Sequence, residues 1–442
     1  MQNIDTLIKA RWIIPVTGEA HWLEAHVVAV HNGRILDVLP EGESNDRYRA
    51  ENNVDLPDHA LIPGLINTHT HAAMSLFRGM ADDMPLNDWL QNKVWPAEAR
   101  WVNEQFVQDG TLLAAAEMLR GGTTCFADMY YYPEVAARAA KQAGIRACVG
   151  LIVLDFATAW AGDASEYLRK GLALRDELAH EPLISTLFAP HAPYTVSDEP
   201  LKKIRMYADE LDLQIMCHVH ETAHEVETAV EQTGKRPLQR LHELGLVSPA
   251  LNAVHMTQLN DEDIRLLVDT GAHVIHCPES NLKLASGSCP VQALLSAGVN
   301  VALGTDGAAS NNDLDLIGEM RSAALLAKNV AGDASALPAY ETLKMATING
   351  ARALGLADHL GTLEAGKAAD IVAINLGALK TQPVYDPVSQ IVYSADSSQV
   401  SDVWVAGKRV VHEGELTTVD SATLLQRAGE WRDKIMQADP AS

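Results

Sequence analysis

The chain has 442 residues, of which 47% are hydrophobic, and its 34 Lys and Arg against 58 Asp and Glu give a formal net charge of −24. This length and composition predict a large buried core and exclude a single minimal domain. The acidic balance argues against a nucleic-acid partner, because binding a phosphate backbone requires a basic surface. We expect a soluble protein that acts on a small molecule.

The cysteines and the N-terminus indicate where the protein works. The five cysteines include no C-x-x-C pair, which disfavours a disulfide framework and favours a reducing compartment. The N-terminus lacks a charged-then-apolar signal pattern, and no apolar run approaches the roughly 20 residues of a membrane span. We therefore expect a cytoplasmic protein without a membrane partner. The sequence leaves the oligomeric state open, and a homo-oligomer is compatible with it.

Both ends of the chain are predicted to be rich in β-strands. Near the start, two apolar runs flank Asn32-Gly33, and Asn-Gly in that position is a strong signal for a hairpin turn. Near the end, strand-like runs flank a predicted turn at Gly407-Lys408. One small β-sandwich domain built from both ends is more economical than two separate domains. The predicted domain comprises residues 1–58 and 365–442.

Between the two ends, apolar strand patterns alternate with helical patterns such as residues 133–143. With an opening strand in residues 61–71, they make eight β/α units, which predicts an α/β fold, an eight-stranded (β/α) TIM-type barrel over residues 59–364. A doubly wound open sheet is the alternative, but residues 63–67 lack the glycine-rich first turn typical of that fold. The other seven strand patterns lie at residues 123–128, 146–151, 183–189, 214–217, 251–255, 273–276 and 300–304.

Histidines and one aspartate collect at the carboxyl ends of these strands, which is the face where a barrel builds its site. His69 and His71 are two residues apart, so on a strand both side chains point to the same side. Each histidine taken singly has a structural explanation as a cap, a surface residue or a core residue. Three imidazoles and one carboxylate together suit Zn²⁺ or a similar divalent ion with a position left for water. The candidates are His69, His71, His191, His218, His255 and Asp306.

Glu221 lies three residues after His218 and is a candidate proton shuttle beside the metal. Its other interpretation is a carboxylate in the first turn of a helix, and both can hold at once. We interpret His220 and His224 as bystanders. His242 and His359 are interpreted as structural or exposed, and the roles of His273 and His276 stay open.

These residues resemble the signature of the amidohydrolase superfamily, and the H-x-x-E arrangement with the aspartate of the last strand resembles its deaminase branch. The resemblance is carried by His69-Thr70-His71, by residues 218–221, by His255 and by Thr305-Asp306. It implies one Zn²⁺ per subunit, or another divalent metal, held by His69, His71, His218 and Asp306. A single metal is implied because two-metal members use a bridging lysine on the fourth strand, and residues 183–189 contain none.

Within that branch the sequence is similar to the methylthioadenosine/S-adenosylhomocysteine deaminases. The similar segments are residues 95–98, 189–194 and 276–287. The resemblance implies that Glu98 holds the ribose hydroxyls of a nucleoside and that His191 contacts the nucleoside. Spacing alone does not distinguish this role of Glu98 from that of a solvated helix residue.

The resemblance also implies a reaction, the hydrolytic deamination of 5′-methylthioadenosine and, more broadly, of S-adenosylhomocysteine or adenosine. In it Asp306 takes a proton from the attacking water, Glu221 protonates the adjacent ring nitrogen, and His255 stabilises the tetrahedral intermediate. Glu221 and Asp306 would both contact the substrate. The alternatives are deamination of guanine or a pterin, dechlorination of an aminotriazine, and a non-catalytic nucleoside binder.

One departure from the family pattern bears on the substrate. Some relatives place an arginine after the third strand, where it would pair with the homocysteine carboxylate. Here no arginine occurs between residue 150 and Arg169. We therefore predict that methylthioadenosine, which lacks the carboxylate, is preferred over S-adenosylhomocysteine.

Overall fold

The computed structural model describes residues 1–18 and 22–438. Residues 19–21 and 439–442, which belong to the predicted end domain, lie outside the described residues. The described chain forms two eight-stranded sheets, one built from both chain ends and one from the middle of the chain. None of its helices combines the length and the apolar composition that crossing a membrane requires.

The sixteen strands, in chain order, have the following bounds. They are β1 (Gln2–Ile13), β2 (Leu23–His31), β3 (Arg34–Pro40), β4 (Tyr48–Pro63), β5 (Leu65–Thr70), β6 (Thr123–Asp128), β7 (Arg146–Val153), β8 (Ile184–Pro190), β9 (Ile215–Val219), β10 (Leu251–His255), β11 (His273–His276), β12 (Val301–Leu303), β13 (Ile371–Asn375), β14 (Val400–Val405), β15 (Lys408–His412) and β16 (Glu415–Leu416).

Most of the α-helices connect the barrel strands and cover the barrel, whereas the first one connects two strands of the other sheet. They are α1 (Glu41–Arg47), α2 (Leu86–Trp89), α3 (Trp95–Trp101), α4 (Glu104–Arg120), α5 (Pro133–Ala143), α6 (Ala164–Leu178), α7 (Asp198–Leu211), α8 (Ala223–Thr233), α9 (Pro237–Glu243), α10 (Asp261–Thr270), α11 (Pro278–Lys283), α12 (Val291–Ser296), α13 (Leu316–Ala331), α14 (Ala339–Met345), α15 (Ile348–Ala353), α16 (Pro387–Tyr393) and α17 (Ser421–Ala438).

The first sheet joins both chain ends in the order β16-β15-β14-β13-β4-β1-β2-β3. The predicted hairpin turn between β2 and β3 is present, and Asn32 and Gly33 both have positive φ, of 51° and 75°. The second predicted turn is wrong by one residue. Ala406 and Gly407 are the turn residues, with φ of 48° and 75°, and Lys408 already pairs with Val405. Both residues have φ > 0, as in a type I′ turn, and glycine adopts this conformation without strain, so the turn forms around the residue pair that ends in glycine.

The second sheet has the order β12-β11-β10-β9-β8-β7-β6-β5, with every neighbouring pair parallel. Its two edges meet at hydrogen bonds from Thr68 Oγ1 to the Leu303 carbonyl, 2.6 Å, and from the Asp306 N–H to the His69 carbonyl, 3.0 Å. The sheet is thus a nearly closed barrel, and the predicted fold class is confirmed. The closure also brings the first and last strands of the barrel together at the predicted site.

Helix α5 illustrates why the predicted helices form where they do. Pro133 occupies the first turn, where its missing N–H costs no hydrogen bond, and Gly144 ends the helix with φ of 78°. Val135 and five alanines of the helix are buried, whereas Arg138 on the opposite side is exposed. Small buried side chains let a covering helix approach the barrel strands closely.

The run at residues 61–71 is two strands rather than the single strand expected from its apolar pattern. Ile62 pairs with Val372 in the end sheet, whereas Leu65 pairs with Thr123 in the barrel. The division falls at Gly64, where a Cβ atom would lie 2.0 Å from Thr124 Oγ1. The glycine therefore lets the backbone pass from one sheet to the other against Thr124. Strand β4 continues to Pro63, and the domain boundaries at residues 58 and 365 stay a prediction.

We expect Gly64→Ala to destabilise the protein by about 3 kcal/mol, because a side chain forced into a packed contact displaces its neighbours. The urea midpoint of unfolding measures the effect. Gly429→Ala in α17 is the matched control, since a Cβ there meets nothing within 4 Å, and we expect it to be neutral or slightly stabilising. Equal midpoints for the two variants would contradict the role of Gly64.

Candidate active site

Four predicted ligands converge at the carboxyl face of the barrel. The Nε2 atoms of His69 and His218 are 3.1 Å apart. Asp306 Oδ1 lies 3.4 Å from His69 Nε2 and 3.3 Å from His71 Nε2. Ligand atoms bound at 2.0–2.1 Å to a tetrahedral Zn²⁺ are about 3.3 Å from one another. Two overlapping groups have ligand atoms that all lie within 4.8 Å of one another, His69 with His71 and Asp306, and His69 with His218 and His255, and each group could hold a metal ion.

The protonation of the histidines supports the same conclusion. His71 Nδ1 lies 2.6 Å from the Met129 carbonyl oxygen, and His218 Nδ1 lies 2.7 Å from the carbonyl oxygen of His191. Each Nδ1 must donate its proton to that carbonyl, so each Nε2 presents a lone pair to the centre. Burial lowers the pKa of His69 to about 4 and holds the pKa of His218 well below its ordinary value. Neutral imidazoles facing a carboxylate form the donor set that a metal cation needs.

Asp306 is held from several sides. Its Oδ2 accepts hydrogen bonds from Ser280 Oγ, 2.7 Å, and Ser310 Oγ, 2.9 Å, and its Oδ1 accepts one from the Gly307 N–H, 2.8 Å. The backbone of Asp306 has φ of 62°, an uncommon conformation for a residue with a side chain. Such a conformation costs on the order of 1–3 kcal/mol and persists where the surroundings impose it. The surrounding hydrogen bonds therefore fix the direction of this carboxylate.

Glu221 and His255 lie beside the candidate metal ligands and face each other. Glu221 Oε2 is 3.8 Å from His255 Nε2, and His255 Nδ1 contacts Asn281 Oδ1 at 2.9 Å. His255 is also within 4.8 Å of the ligand atoms of His69 and His218. The Glu221 side chain is 9% exposed, and burial, followed by the charge of Asp306, raises its pKa to about 8. A carboxyl group of that pKa is protonated at neutral pH and can donate a proton.

One cavity joins the metal cluster to the other predicted residues. The cavity itself is narrow, with a volume of about 70 Å³. Glu98 from α3 is buried in its wall, and burial raises the pKa of Glu98 to about 7, although the Tyr131 hydroxyl donates to Glu98 Oε2 at 3.5 Å and opposes the shift. His191 also lines the cavity, and burial lowers its pKa to about 3. The residues that line this cavity include His71, Glu98, His191, His218, Glu221, His255 and Asp306.

A second, larger space adjoins this cavity, and we call it the outer cavity. It has a volume of about 640 Å³ and is bounded by α2, α8 and the loops around residues 193 and 285. Six residues belong to the walls of both spaces, so the two lie directly against each other. They are Leu86, Leu90, Trp95, Tyr194, Glu221 and Leu284.

The other histidines singled out in the sequence analysis belong to neither group that could hold a metal ion among the described residues. His220 is buried, and its Nε2 accepts the N–H of Leu238. His224 lies in the wall of the outer cavity, whereas His242 and His359 are exposed. The histidines of β11 differ from each other. His273 Nδ1 contacts the Asn300 side chain at 3.1 Å, and His276 is buried with Nδ1 unpartnered among the described residues.

Several supporting groups were missed by sequence reasoning. The carbonyls of Met129 and His191 orient two ligands, and a carbonyl has no signature in a sequence because every residue has one. Ser280, Asn281 and Ser310 were detectable in principle, because each lies shortly after a barrel strand, the first two in α11 after β11 and the third after β12.

Fold and site together define the class, a metal-dependent hydrolase whose metal site lies at the carboxyl face of a (β/α)₈ barrel. The model of the amidohydrolase family matches residues 60–410, most of the chain. The chain therefore belongs to the amidohydrolase family.

Curated relatives and a solved structure extend the comparison over nearly the whole length. The 5-methylthioadenosine/S-adenosylhomocysteine deaminase of Teredinibacter turnerae is 52% identical over 433 residues, 98% of each chain. The protein of the same description from Saccharophagus degradans is 51% identical, covering 99% of this chain and 98% of that protein. The crystal structure of an adenosine deaminase from Xanthomonas campestris with bound zinc superposes with a TM-score of 0.97 at 52% identity, covering 99% of each chain.

Proposed function

We propose that this protein hydrolyses the adenine amine of 5′-methylthioadenosine, releasing ammonia and the inosine analogue. The observation that carries the proposal is the single cavity in which the metal cluster, the buried carboxyl group of Glu221 and Glu98 share one wall. A metal cluster with a proton donor suits hydrolysis of a cyclic amidine, and Glu98 supplies an acceptor for sugar hydroxyls. The deaminase descriptions of relatives that are 51% and 52% identical support the same reaction.

The metal is proposed to be one Zn²⁺ per subunit, held by His69, His71, His218 and Asp306. The Xanthomonas campestris structure with bound zinc supports this choice of metal. Strand β8 contains no lysine that would bridge a second ion. A divalent metal held by these residues would lower the pKa of a bound water to near 7 and so make a nucleophile available at neutral pH.

The residues around the metal divide the proton transfers between them. Asp306 accepts a proton from the attacking water as the oxygen adds to the ring carbon that bears the amine. Glu221, protonated at neutral pH, delivers its proton to the adjacent ring nitrogen, so negative charge does not accumulate on the ring. His255 hydrogen-bonds the attacking oxygen in the tetrahedral intermediate. Asp306 returns its proton to the amine, which leaves as ammonia when the C–N bond breaks, and the hydroxyl proton of the intermediate restores the proton of Glu221.

Glu98 and His191 are proposed to hold the nucleoside. A carboxylate can accept hydrogen bonds from both ribose hydroxyls, and such bonds favour its charged form over the protonated form. His191 contacts Thr195 Oγ1 through Nδ1 at 3.1 Å, which leaves Nε2 available to the substrate.

The five cysteines are all unpaired and buried, which supports the proposed cytoplasmic location.

We expect Glu98→Ala to lower kcat/KM for adenosine-type nucleosides by about 100-fold, because hydrogen bonds to a charged group are worth roughly 1.5–3 kcal/mol each. Any deamination of free bases should change little, since a free base has no ribose. Ammonia release from methylthioadenosine and guanine measures the two effects. Glu104→Ala, at an exposed position at the start of α4, is the control. Full activity of Glu98→Ala on nucleosides would contradict the assignment.

The cationic side chains around the two cavities are already paired. Among the described residues, the wall of the inner cavity contains no lysine or arginine. In the outer cavity, Lys235 pairs with Glu243, and Arg240 pairs with Asp198 at 2.7 Å. Three acidic residues, Asp88, Glu221 and Glu225, also belong to that wall, and of these Glu221 is protonated at neutral pH. A substrate carboxylate would therefore meet an acidic wall without an unpaired cation.

We expect kcat/KM for methylthioadenosine to exceed that for S-adenosylhomocysteine at least tenfold, which corresponds to about 1.4 kcal/mol. The uncharged 5′-butylthioadenosine is the matched control for substituent size. It should be handled more like the methylthio compound, because the outer cavity has room for the longer chain. Comparable efficiency on methylthioadenosine and S-adenosylhomocysteine would refute the preference.

The test of the overall reaction is ammonia release by zinc-loaded protein from methylthioadenosine, S-adenosylhomocysteine, adenosine and guanine in parallel. Strong turnover of the methylthio compound is the expected result. Turnover of guanine alone would retain the metal site and overturn the substrate. Tight nucleoside binding without ammonia release would identify a non-catalytic binder, and activity only on pterins or aminotriazines would move the protein to another branch of the family.

A further inference from the structure

The connection between β9 and α8 carries Glu221 and has an unusual backbone. His220, the first residue after the strand, has φ of 53°, in the left-handed region that residues with side chains seldom adopt. This turn redirects the chain so that Glu221 lies in the wall of the cavity three residues beyond the ligand His218. The position of Glu221 thus depends on a backbone conformation that other contacts must maintain.

Glu225 supplies those contacts from the first turn of α8. Its Oε1 accepts the N–H of His220 at 3.1 Å, and its Oε2 accepts the N–H of Glu221 at 2.7 Å. Thr222 caps the helix by accepting the N–H of Glu225. A glutamate at this position of a helix ordinarily reaches back to the N–H of the capping residue. Here it reaches one and two residues further, to the two N–H groups of the strained turn.

The opposite side of the same turn is held by Thr257, which follows β10. Its Oγ1 donates to the Glu221 carbonyl at 2.7 Å, and its N–H donates to the His220 carbonyl at 3.0 Å. The backbone of Glu221 is therefore fixed at its N–H by Glu225 and at its carbonyl by Thr257. Only the side chain of Glu221 is left to move, and it faces His255.

We propose that Glu225 is a positioning residue for the reaction, which acts by holding the backbone of Glu221 so that its carboxyl group is aimed at the substrate ring. The inference rests on the proposed role of Glu221 as proton donor. Two other roles compete with it. Glu225 also belongs to the wall of the outer cavity, where it would contact the substrate directly, and a carboxylate near a helix N-terminus stabilises the helix in general.

A double-mutant cycle separates these roles. A residue that acts only through Glu221 has no further effect once Glu221 is replaced by a side chain that cannot donate a proton to the substrate. We expect Glu225→Gln to lower kcat about 30-fold in the wild-type background, within the range of general acid catalysis, with KM changed less than twofold. In the Glu221→Gln background the same substitution should change kcat less than twofold. Glu225→Asp, which keeps the charge and shortens the reach, should repeat the pattern. Glu227→Gln, exposed on the same helix, is the control.

Equal losses in both backgrounds, or a loss confined to KM, would overturn the proposal in favour of a structural or substrate-contacting role. The cycle uses whichever of the four assayed compounds releases ammonia, so a wrong substrate does not affect it. Amide hydrogen exchange tests the same contacts without any activity. Glu225→Gln should accelerate exchange at least tenfold in a peptide spanning residues 219–222 and leave α10 unchanged. Unchanged exchange in that peptide would also overturn the proposal.

Discussion

Glu221→Gln is expected to lower kcat for methylthioadenosine about 1,000-fold, within the 10²–10⁴ range of general acid–base catalysis. The amide keeps the shape of the side chain and can still donate a hydrogen bond, but it cannot give up a proton. KM and zinc content should change little, because Glu221 is not among the four proposed metal ligands. Its Oε2 instead lies 3.8 Å from His255 Nε2. Steady-state kinetics with metal analysis measures both effects.

The pH dependence provides an independent check on the same residue. Burial, followed by the charge of Asp306, raises the pKa of Glu221 to about 8. A proton donor acts in its protonated form, so kcat/KM should be sustained below pH 8 and fall as the pH rises through that value. In Glu221→Gln this alkaline limb should disappear. A limb that persists in the variant would assign the titration, and the proton transfer, to another group.

Asp306→Asn is expected to have the largest effect, a loss of at least 10⁴-fold in kcat/KM together with loss of bound zinc. The substitution removes the negative charge from the cluster of three neutral imidazoles and also removes the proposed proton acceptor. An amide also cannot accept at both atoms the hydrogen bonds from Ser280, Ser310 and Gly307, so one buried donor is left unpaired. Metal content after dialysis against equimolar zinc and ammonia release measure the two losses.

Asp269→Asn, at an exposed position on α10, is the control and should retain zinc and activity. A variant at residue 306 that binds zinc as the wild type does would remove Asp306 from the ligand set. If it binds zinc but does not turn over substrate, Asp306 would act only as the proton acceptor.

Local patterns predicted a large part of the fold. Strands β6, β10 and β11 and helix α5 have the bounds expected from the sequence. Their signals are local, because an apolar run bounded by polar residues, or a proline and a glycine at the two ends of a helix, acts within the segment itself. The break at Gly64 was not predicted, because its cause is the contact with Thr124 on a neighbouring strand.

The sequence by itself determined which chemical groups the site contains. The alternation of strands and helices, and the position of His69, His71, His218, His255 and Asp306 at strand ends, are properties of local order along the chain. The spacing of His69 and His71 follows from strand periodicity and requires no knowledge of distant contacts.

Only the tertiary structure decided how these groups are protonated, aimed and enclosed. The orientation of His71 and His218 depends on carbonyls of other strands, and the raised pKa of Glu221 depends on its burial beneath neighbouring loops. The role inferred for Glu225 depends on a turn with positive φ at His220. Each of these features arises from contacts that exist only after the barrel closes, because desolvation and hydrogen-bond geometry depend on segments that are remote in the chain.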